Sequence, residues 1–284
     1  MRSTLVLVAS AAFLTTAACT QPEPDAASQS GRDDAPAIEG GAHVATDLES
    51  VAQSVEVDHI YVVTQPGAPE AAVLRAAGFQ VPESRTNHTG NGSSSVGVIF
   101  ENAYLELLYE DSTVSDSANS PAERARWRRV FDWRASGASP VGVGLRRLEK
   151  APDSLPFPTE RMPPQPWMRP GTDMRLVTTP ADSLAPNVFV VPRYMALTGW
   201  IDDARRDTSF AASLRHPLGV RRVTEVRVVV ADRDGIPPNL RLLREAGVLS
   251  VEQGAGPLLD LTFDGGSRGA TRDFRPELPL VIRY

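Results

Sequence analysis

The chain has 284 residues, of which 42% are hydrophobic and 23% are charged. These values are near the averages of soluble globular proteins, so they exclude a polytopic membrane protein and a largely disordered chain. The formal net charge is −6, but residues 20–50 hold seven acids and one base, which leaves 28 acids and 27 bases from Val51 onward. This near balance excludes the charge footprint of a nucleic-acid-binding protein. The single cysteine excludes an internal disulfide.

The N-terminal residues have the pattern of a signal peptide. Residues 1–18 combine Arg2, an apolar stretch and small residues before Cys19. The segment 16–19 (TAAC) resembles a bacterial lipobox, in which the cysteine is lipidated and becomes the mature N-terminus. The alternative is an ordinary secreted protein cleaved after an A-x-A-like site. On the first interpretation the protein belongs to the bacterial cell envelope and touches the membrane only through a lipid anchor. Because Thr20 rather than aspartate follows the cysteine, we expect the outer membrane, facing the periplasm.

Residues 19–50 predict a flexible tether. They are rich in Ala, Ser, Gly, Pro, Asp and Glu and contain almost no large apolar side chain. Such a segment cannot bury enough surface to offset the entropy of ordering. A tether of this kind lets an anchored domain stand clear of the membrane.

The rest of the chain predicts an α+β fold built from repeated βαβββ units. The first unit is residues 51–136. Its predicted elements are a strand at 57–64, a helix at 69–78, a strand that opens at Phe79 and strands at 95–100 and 104–110. A linking helix at 121–136 follows. The last unit, residues 216–284, repeats this order with a strand at 222–231, a helix at 238–247 and strands at 248–251 and 258–264. A degraded middle unit, residues 137–215, has strands at 141–147, 174–179 and 188–194. The proline-rich stretch 152–170 replaces its helix, because prolines prevent it from being helical throughout.

Alternation along the strands predicts which side chains face the core. Successive residues of a strand point to opposite faces. The residues expected on the helix-covered face are Ile60, Val62, Leu105, Leu107, Val226, Val228, Leu259 and Leu261. His59 and Glu106 then share the opposite face, and Glu225 and Asp260 have the corresponding places in the last unit.

Several segments resemble the vicinal oxygen chelate superfamily, and within it the glyoxalase-like group. They are the strand start VDHI at 57–60, the helix end AGF at 77–79, the segment FENAYLEL at 100–107 and the link HPLG at 216–219. The resemblance covers about residues 55 to 284. It implies that paired units form a cup-shaped mixed sheet with a divalent metal on its floor. A histidine on a first strand and a glutamate on a fourth strand hold that metal, and these positions match His59 and Glu106.

The resemblance implies a metal-dependent lyase, isomerase or dioxygenase acting on a small oxygen-rich molecule, with the metal as Lewis acid. Such a metal usually has two more protein ligands. The middle unit has Gly142 near the place of His59, whereas the last unit offers Glu225 and Asp260. One histidine with three carboxylates suits Zn²⁺, Mn²⁺ or Fe²⁺. The alternative is a metal-free protein that binds or sequesters a small ligand in the same cup, with His59 and Glu106 hydrogen-bonded to each other or to that ligand. For the last unit, the alternative to metal ligands is that Arg227, on the same face as Glu225, neutralises the carboxylates.

Two further residues are candidates for catalysis. His88 lies in a polar segment, 85–92, which leads into the strands beside Glu106 and suits a lid or a general acid or base. The alternative for His88 is a solvated loop histidine. Tyr104 begins the strand that carries Glu106. For the arginine-rich helix 121–136, a packed linker with a solvated basic face is favoured over a lipid contact.

Overall fold

The computed structural model describes residues 48–152, 154–178, 183–231 and 235–284, which all belong to one compact unit. Cys19 and the tether up to residue 47 lie outside the described residues. The last residues assigned to the tether, 48–50, are the first turn of a helix. Within the described ranges, no helix is both long enough and apolar enough to cross a membrane.

The protein is α+β, with two mixed sheets and few helices. The strands are β1 (Val55–Val63), β2 (Thr86–His88), β3 (Ser93–Ile99), β4 (Tyr104–Glu110), β5 (Val141–Arg147), β6 (Thr159–Arg161), β7 (Arg175–Val177), β8 (Asn187–Val190), β9 (Val223–Ala231), β10 (Ser250–Gly254), β11 (Leu258–Phe263), β12 (Thr271–Asp273) and β13 (Leu280–Arg283). The α-helices are α1 (Leu48–Ser54), α2 (Ala71–Ala76), α3 (Pro121–Phe131), α4 (Trp133–Ser136), α5 (Ile201–Ala204), α6 (Thr208–Ser213) and α7 (Pro238–Glu245). Short 3₁₀ turns lie at Leu197–Gly199 and Asp264–Gly266.

The eight-stranded sheet has the order β2-β3-β4-β1-β5-β8-β7-β6. At its centre β1 runs antiparallel to β5. On one side β1 pairs with β4 in parallel, and on the other side β5 pairs with β8 in parallel. The strands β1–β4 and β5–β8 therefore pair in the same order outward from the centre, although the described residues between β5 and β6 contain no helix.

The five-stranded sheet has a different order, β10-β9-β11-β13-β12. Here β9 lies beside β10 in parallel and beside β11 in antiparallel orientation. The last unit thus has the predicted succession of strand, helix and strands, but its strand pairing is not that of the first unit. The physical difference is the connection after the helix. After α7 the chain forms β10 directly beside β9. After α2, in contrast, residues 77–85 carry the chain to β2 at the edge of the larger sheet. Strands β12 and β13 were not predicted.

The predicted core face is confirmed. All eight aliphatic residues assigned to it are at most 7% exposed and belong to one hydrophobic cluster. Helices α2 and α7 contribute Leu74, Leu240 and Leu243 to the same cluster. The larger sheet thus buries one face, and its other face carries His59 and Glu106.

Phe79 does not begin a strand, contrary to the prediction. Its amide donates to the carbonyl oxygen of Leu74, and the amide of Gly78 donates to Arg75. Gly78 has φ +93°, so the three residues 77–79 close the C-terminus of α2 in the manner of a Schellman cap. The Phe79 ring packs edge-on against Phe100 in the core. Strand β2 begins only at Thr86.

The predicted linking helix is two helices. Ser120 and Glu123 form a capping box at the start of α3, as the spacing predicts. Asp132 leaves helical geometry and separates α3 from the short α4. Between the prolines 152 and 170, the described residues contain the strand β6 and no helix.

Candidate functional site

A cavity of about 110 Å³ opens on the face of the eight-stranded sheet opposite the core, and we call it the sheet cavity. His59 and Tyr61 of β1, Tyr104 and Glu106 of β4, and His88 of β2 form its polar side. The apolar and aromatic side chains that line it are Leu108, Trp127, Met162, Trp167, Met174, Leu176, Phe189, Val191 and Met195. The structure therefore brings together all four of the sequence-predicted residues of the first unit, His59, His88, Tyr104 and Glu106.

Two glycines of β5 make room for the rings on the floor. In the β1–β5 pairing Gly142 lies opposite Tyr61, and Gly144 lies opposite His59. A Cβ atom at Gly142 would overlap the Tyr61 ring, and one at Gly144 would overlap the His59 imidazole. The rings therefore lie across the backbone of β5, in space that any larger residue would fill.

Glu106 is held as a carboxylate by its neighbours. The Nε2 atom of His88 lies 3.2 Å from Oε1 of Glu106 and 3.0 Å from Oγ of Ser95. Burial alone would raise the pKa of Glu106. The hydrogen bond and charge of His88, the charge of His59 and a hydrogen bond from Ser95 outweigh burial and lower the pKa to about 2. The floor of the sheet cavity thus carries a negative charge that is paired with His88.

His59 is oriented by a buried ion network behind the floor. Its Nδ1 lies 2.9 Å from Oδ2 of Asp58, a fully buried carboxylate. The other Asp58 oxygen accepts from the guanidinium of Arg146 at 3.3 Å and from the backbone amide of Leu197 at 2.8 Å. With Asp58 at Nδ1, Nε2 is the ring nitrogen that can serve a ligand. A β-bulge between Val57 and His59 adds Asp58 as an extra residue to β1.

Both tyrosines of the floor are neutral phenols. Tyr104 stacks on His59 with ring centroids 4.4 Å apart. Burial and the charges of Glu106 and Asp58 raise the pKa of Tyr104 well above its ordinary value. Burial likewise raises the pKa of Tyr61 to about 12, although a hydrogen bond from Asn187 and the charge of Arg126 oppose the rise. At neutral pH these side chains act as hydrogen-bond donors or acceptors and not as bases.

Glu225 and Asp260 do not join this site. They lie in the five-stranded sheet, where Glu225 accepts from Oγ of Ser250 at 3.0 Å. Both Asp260 oxygens accept from Nε of Arg283, at 3.1 Å and 3.0 Å. The expectation that these two carboxylates complete one metal site with His59 and Glu106 is therefore not met, because the last unit pairs its strands into a separate sheet. Arg227 lies 3.6 Å from Glu225, so an arginine neutralises a carboxylate here.

The residues present do not fit a metal centre with three or more protein ligands. The positions of β5 and β8 that face the sheet cavity carry Gly142, Gly144, Asn187 and Phe189. None of these side chains is a carboxylate, imidazole or thiol. Within the ranges that the structure describes, no group of three or more His, Cys, Asp or Glu side chains is placed to hold a metal ion. His59 and Glu106 remain as a pair of donors on the floor, and His88 already contacts Glu106.

Comparison with models of known protein families and with curated proteins gives no match. Among solved structures, the crystal structure of a hypothetical protein from Staphylococcus aureus is similar to this chain. The similarity covers 81% of this chain and 99% of that chain, with 9% sequence identity and a TM-score of 0.44. The chemistry of the site therefore follows from its own residues.

Sequence reasoning missed the side of the cavity that comes from outside β1 and β4. Arg126 and Trp127 reach it from α3, for which a solvated basic face was predicted. Met162 and Trp167 come from the proline-rich stretch, and Asn187 comes from β8. The proline-rich stretch did carry a signal for a binding role, because a long segment without helix or strand pattern between two strands of a sheet often carries binding residues.

Proposed function

We propose that β1–β8 form a cup of the vicinal oxygen chelate type and that its sheet cavity binds a small, largely apolar molecule without a metal. The strand pairing supports this cup, since the first and fourth strands of each set lie side by side in parallel and the two first strands meet at the centre. A further support is that His59 and Glu106 lie on neighbouring strands and line the same cavity.

The observation that carries the proposal is the asymmetry of the sheet cavity. Strands β1, β2 and β4 supply polar groups, whereas β5 and β8 supply two glycines, an amide and a phenylalanine. Met162, Met174 and Met195 complete an apolar wall. Ligand sites are usually of this kind, with mostly apolar walls and a few polar groups that fix orientation. Methionines adapt their shape to the molecule they enclose.

The size of the cavity limits the ligand. Its volume is about 110 Å³. An apolar cavity of about 150 Å³ accepts one benzene molecule. We therefore expect a body of at most about one ring, or a branched chain of similar volume, with hydrogen-bonding groups directed to the polar side.

The metal-dependent lyase, isomerase or dioxygenase is the alternative function. The shared face of His59 and Glu106 favours it, because these two residues are the pair that would hold such a metal in the first unit. A metal held by them would supply Lewis-acid activation of an oxygen-rich molecule. The lack of further donors on β5 and β8 weighs against this function.

Metal analysis separates the two functions. The purified protein is dialysed against chelator, incubated with Zn²⁺, Mn²⁺ or Fe²⁺, desalted and analysed for metal. We expect less than stoichiometric metal with each ion. The metal-dependent alternative would be established by a different result: the wild type binds stoichiometric metal, and both His59→Ala and Glu106→Ala lose it. Glu225→Gln, in the other sheet, is the control and should then retain the metal.

We also propose that the protein is attached to the outer membrane by a lipid on Cys19 and faces the periplasm. The support is the signal-peptide pattern, the lipobox-like segment and Thr20 after the cysteine. An anchored cup at the end of a tether would meet small molecules that enter the periplasm.

A further inference from the structure

Arg126 brings a positive charge to the sheet cavity and has no carboxylate partner in the part of the chain that the structure describes. Its side chain reaches the cavity from α3 and is partly buried. Among the described residues it makes no salt bridge, and its guanidinium donates to Oδ1 of Asn187. Burial lowers the pKa of Arg126, although the charges of Glu123 and Glu160 oppose this. Withdrawing a guanidinium from part of its water is costly when its hydrogen-bond partner is a neutral amide and no anion is present.

The hydrogen bonds beside Arg126 have a fixed direction. A guanidinium can only donate, so the oxygen of Asn187 must face Arg126. The nitrogen of Asn187 then donates to the hydroxyl oxygen of Tyr61, 2.7 Å away. Within the described residues the Tyr61 hydroxyl has no acceptor for its own hydrogen, and Tyr61 lines the sheet cavity. The oxygens of Asn187 and Tyr61 thus each already accept one hydrogen bond, and the Tyr61 hydroxyl and the Arg126 guanidinium have N–H and O–H groups left for a ligand.

We propose that the ligand of the sheet cavity is a small, largely apolar carboxylate, bound through Arg126 and the hydroxyl of Tyr61. The proposal rests on the proposed function and names the chemical class of its ligand. A carboxylate accepts from both groups, and hydrogen bonds to charged groups are the stronger ones. Arg126 gains in this way the anionic partner that it lacks among the described residues.

The charge of Glu106 does not cancel this preference. Glu106 is paired with His88 at 3.2 Å, whereas Arg126 has no ion-pair partner among the described residues. The lining of the cavity therefore includes a carboxylate that is paired with His88 and a guanidinium that has no ion-pair partner among the described residues. A ligand with a hydroxyl or another donor would direct that donor toward Glu106 and its carboxylate toward Arg126.

Benzoate and benzamide test the proposal, since they have nearly the same shape and differ in charge. Trp127 and Trp167 line the cavity, so tryptophan fluorescence of the full chain reports binding. We expect the wild-type protein to bind benzoate at least about tenfold more tightly than benzamide, as a hydrogen bond to a charged group contributes about 1.5–3 kcal/mol. Arg126→Met should remove this preference and keep benzamide binding. Tyr61→Phe should weaken benzoate by a smaller factor of about three to ten.

Arg128→Met is the matched control, because Arg128 is exposed on the same helix. It should keep the wild-type preference. If wild-type protein binds benzamide as tightly as benzoate, the carboxylate proposal is overturned while the binding cavity stands. If Arg126→Met still binds benzamide and still prefers benzoate, the role of Arg126 is overturned. If neither compound binds the wild-type protein, both this proposal and the proposed function fail. The wild-type comparison decides the ligand class even if a variant does not fold.

Discussion

At the scale of single residues, Glu106 should make stability depend on pH. Its pKa is lowered from 4.5 to about 2 in the folded protein. A lowered pKa means that the carboxylate stabilises the fold above pH 4.5 and that this contribution is lost as the pH falls toward 2. At about 1.4 kcal/mol per pKa unit, the free energy of unfolding of the wild type relative to Glu106→Gln should fall by about 2 kcal/mol between pH 6 and pH 3.

Urea unfolding of both proteins across that pH range measures the effect. Glu110→Gln, at the exposed end of the same strand, is the control and should follow the wild type. A difference between wild type and Glu106→Gln that does not change with pH would show that Glu106 is not held as a carboxylate by His88 and Ser95.

The glycines of β5 give a second prediction at this scale. Gly142→Ala places a methyl group into the space of the Tyr61 ring. We expect the free energy of unfolding to fall by about 1–3 kcal/mol, the usual cost of overpacking a filled site. Gly256→Ala is the control, because no atom lies within 4 Å of its added Cβ and the change should be small. A neutral effect of Gly142→Ala in thermal unfolding would mean that Tyr61 does not lie across β5.

The residues of the site differ in how well the sequence could predict them. His59 and Glu106 could be placed on one face because alternation in β1 and β4 is regular from His59 onward. Arg126 could not be placed, since its role depends on Asn187, which is 61 residues away and on a strand of the other half of the sheet. Charge alone cannot distinguish an inward arginine from a solvated one.

At the scale of elements, strands with strong β-branched or aliphatic runs were predicted well. The bounds of β4 and β5 are those expected from the sequence. The bulge at Asp58 was not predictable from the pattern of apolar residues. Val57 and Ile60 are three positions apart and would point to opposite faces of a regular strand, yet both pack on the core because the bulge shifts the alternation. Phe79 was misassigned because an aromatic residue after Ala-Gly suits both a strand and a helix cap.

The face assignment of β4 can be tested at Leu107. This side chain is fully buried in the core cluster, opposite the face that carries Glu106. Leu107→Ala should lower the free energy of unfolding by about 2–5 kcal/mol, as truncation leaves a cavity. Denaturant unfolding measures the loss, with Glu110→Ala at the exposed strand end as the control. A change below that range would contradict the orientation of β4 and of the sheet cavity.

At the scale of the whole molecule, the succession of strand and helix that begins the first and last units was predictable, whereas the strand pairing of the last unit was not. The last unit has the strand and helix succession of the first, yet α7 returns the chain beside β9. The place of the strand after α7 depends on the turn formed by residues 246–249 and on which strands can pair with β9. Local sequence patterns specify neither of these. The consequence is large, since it moves Glu225 and Asp260 out of the site.

Attachment to the membrane is a separate prediction at this scale. If Cys19 is lipidated, the protein should be found in the outer-membrane fraction, and Cys19→Ser should prevent lipid attachment. Metabolic labelling with a fatty acid, followed by fractionation, measures both outcomes. An unlabelled soluble wild-type protein would contradict the anchor, and an inner-membrane location would contradict the sorting inferred from Thr20.

The central claim is that the sheet cavity binds a small, largely apolar molecule without a metal. The most direct measurement is a calorimetric titration of benzamide into the protein, once with EDTA and once with added Zn²⁺. We predict saturable one-to-one binding with the same dissociation constant in both buffers, since no step of recognition passes through a metal. Binding that appears only with Zn²⁺ and disappears with EDTA would contradict the account.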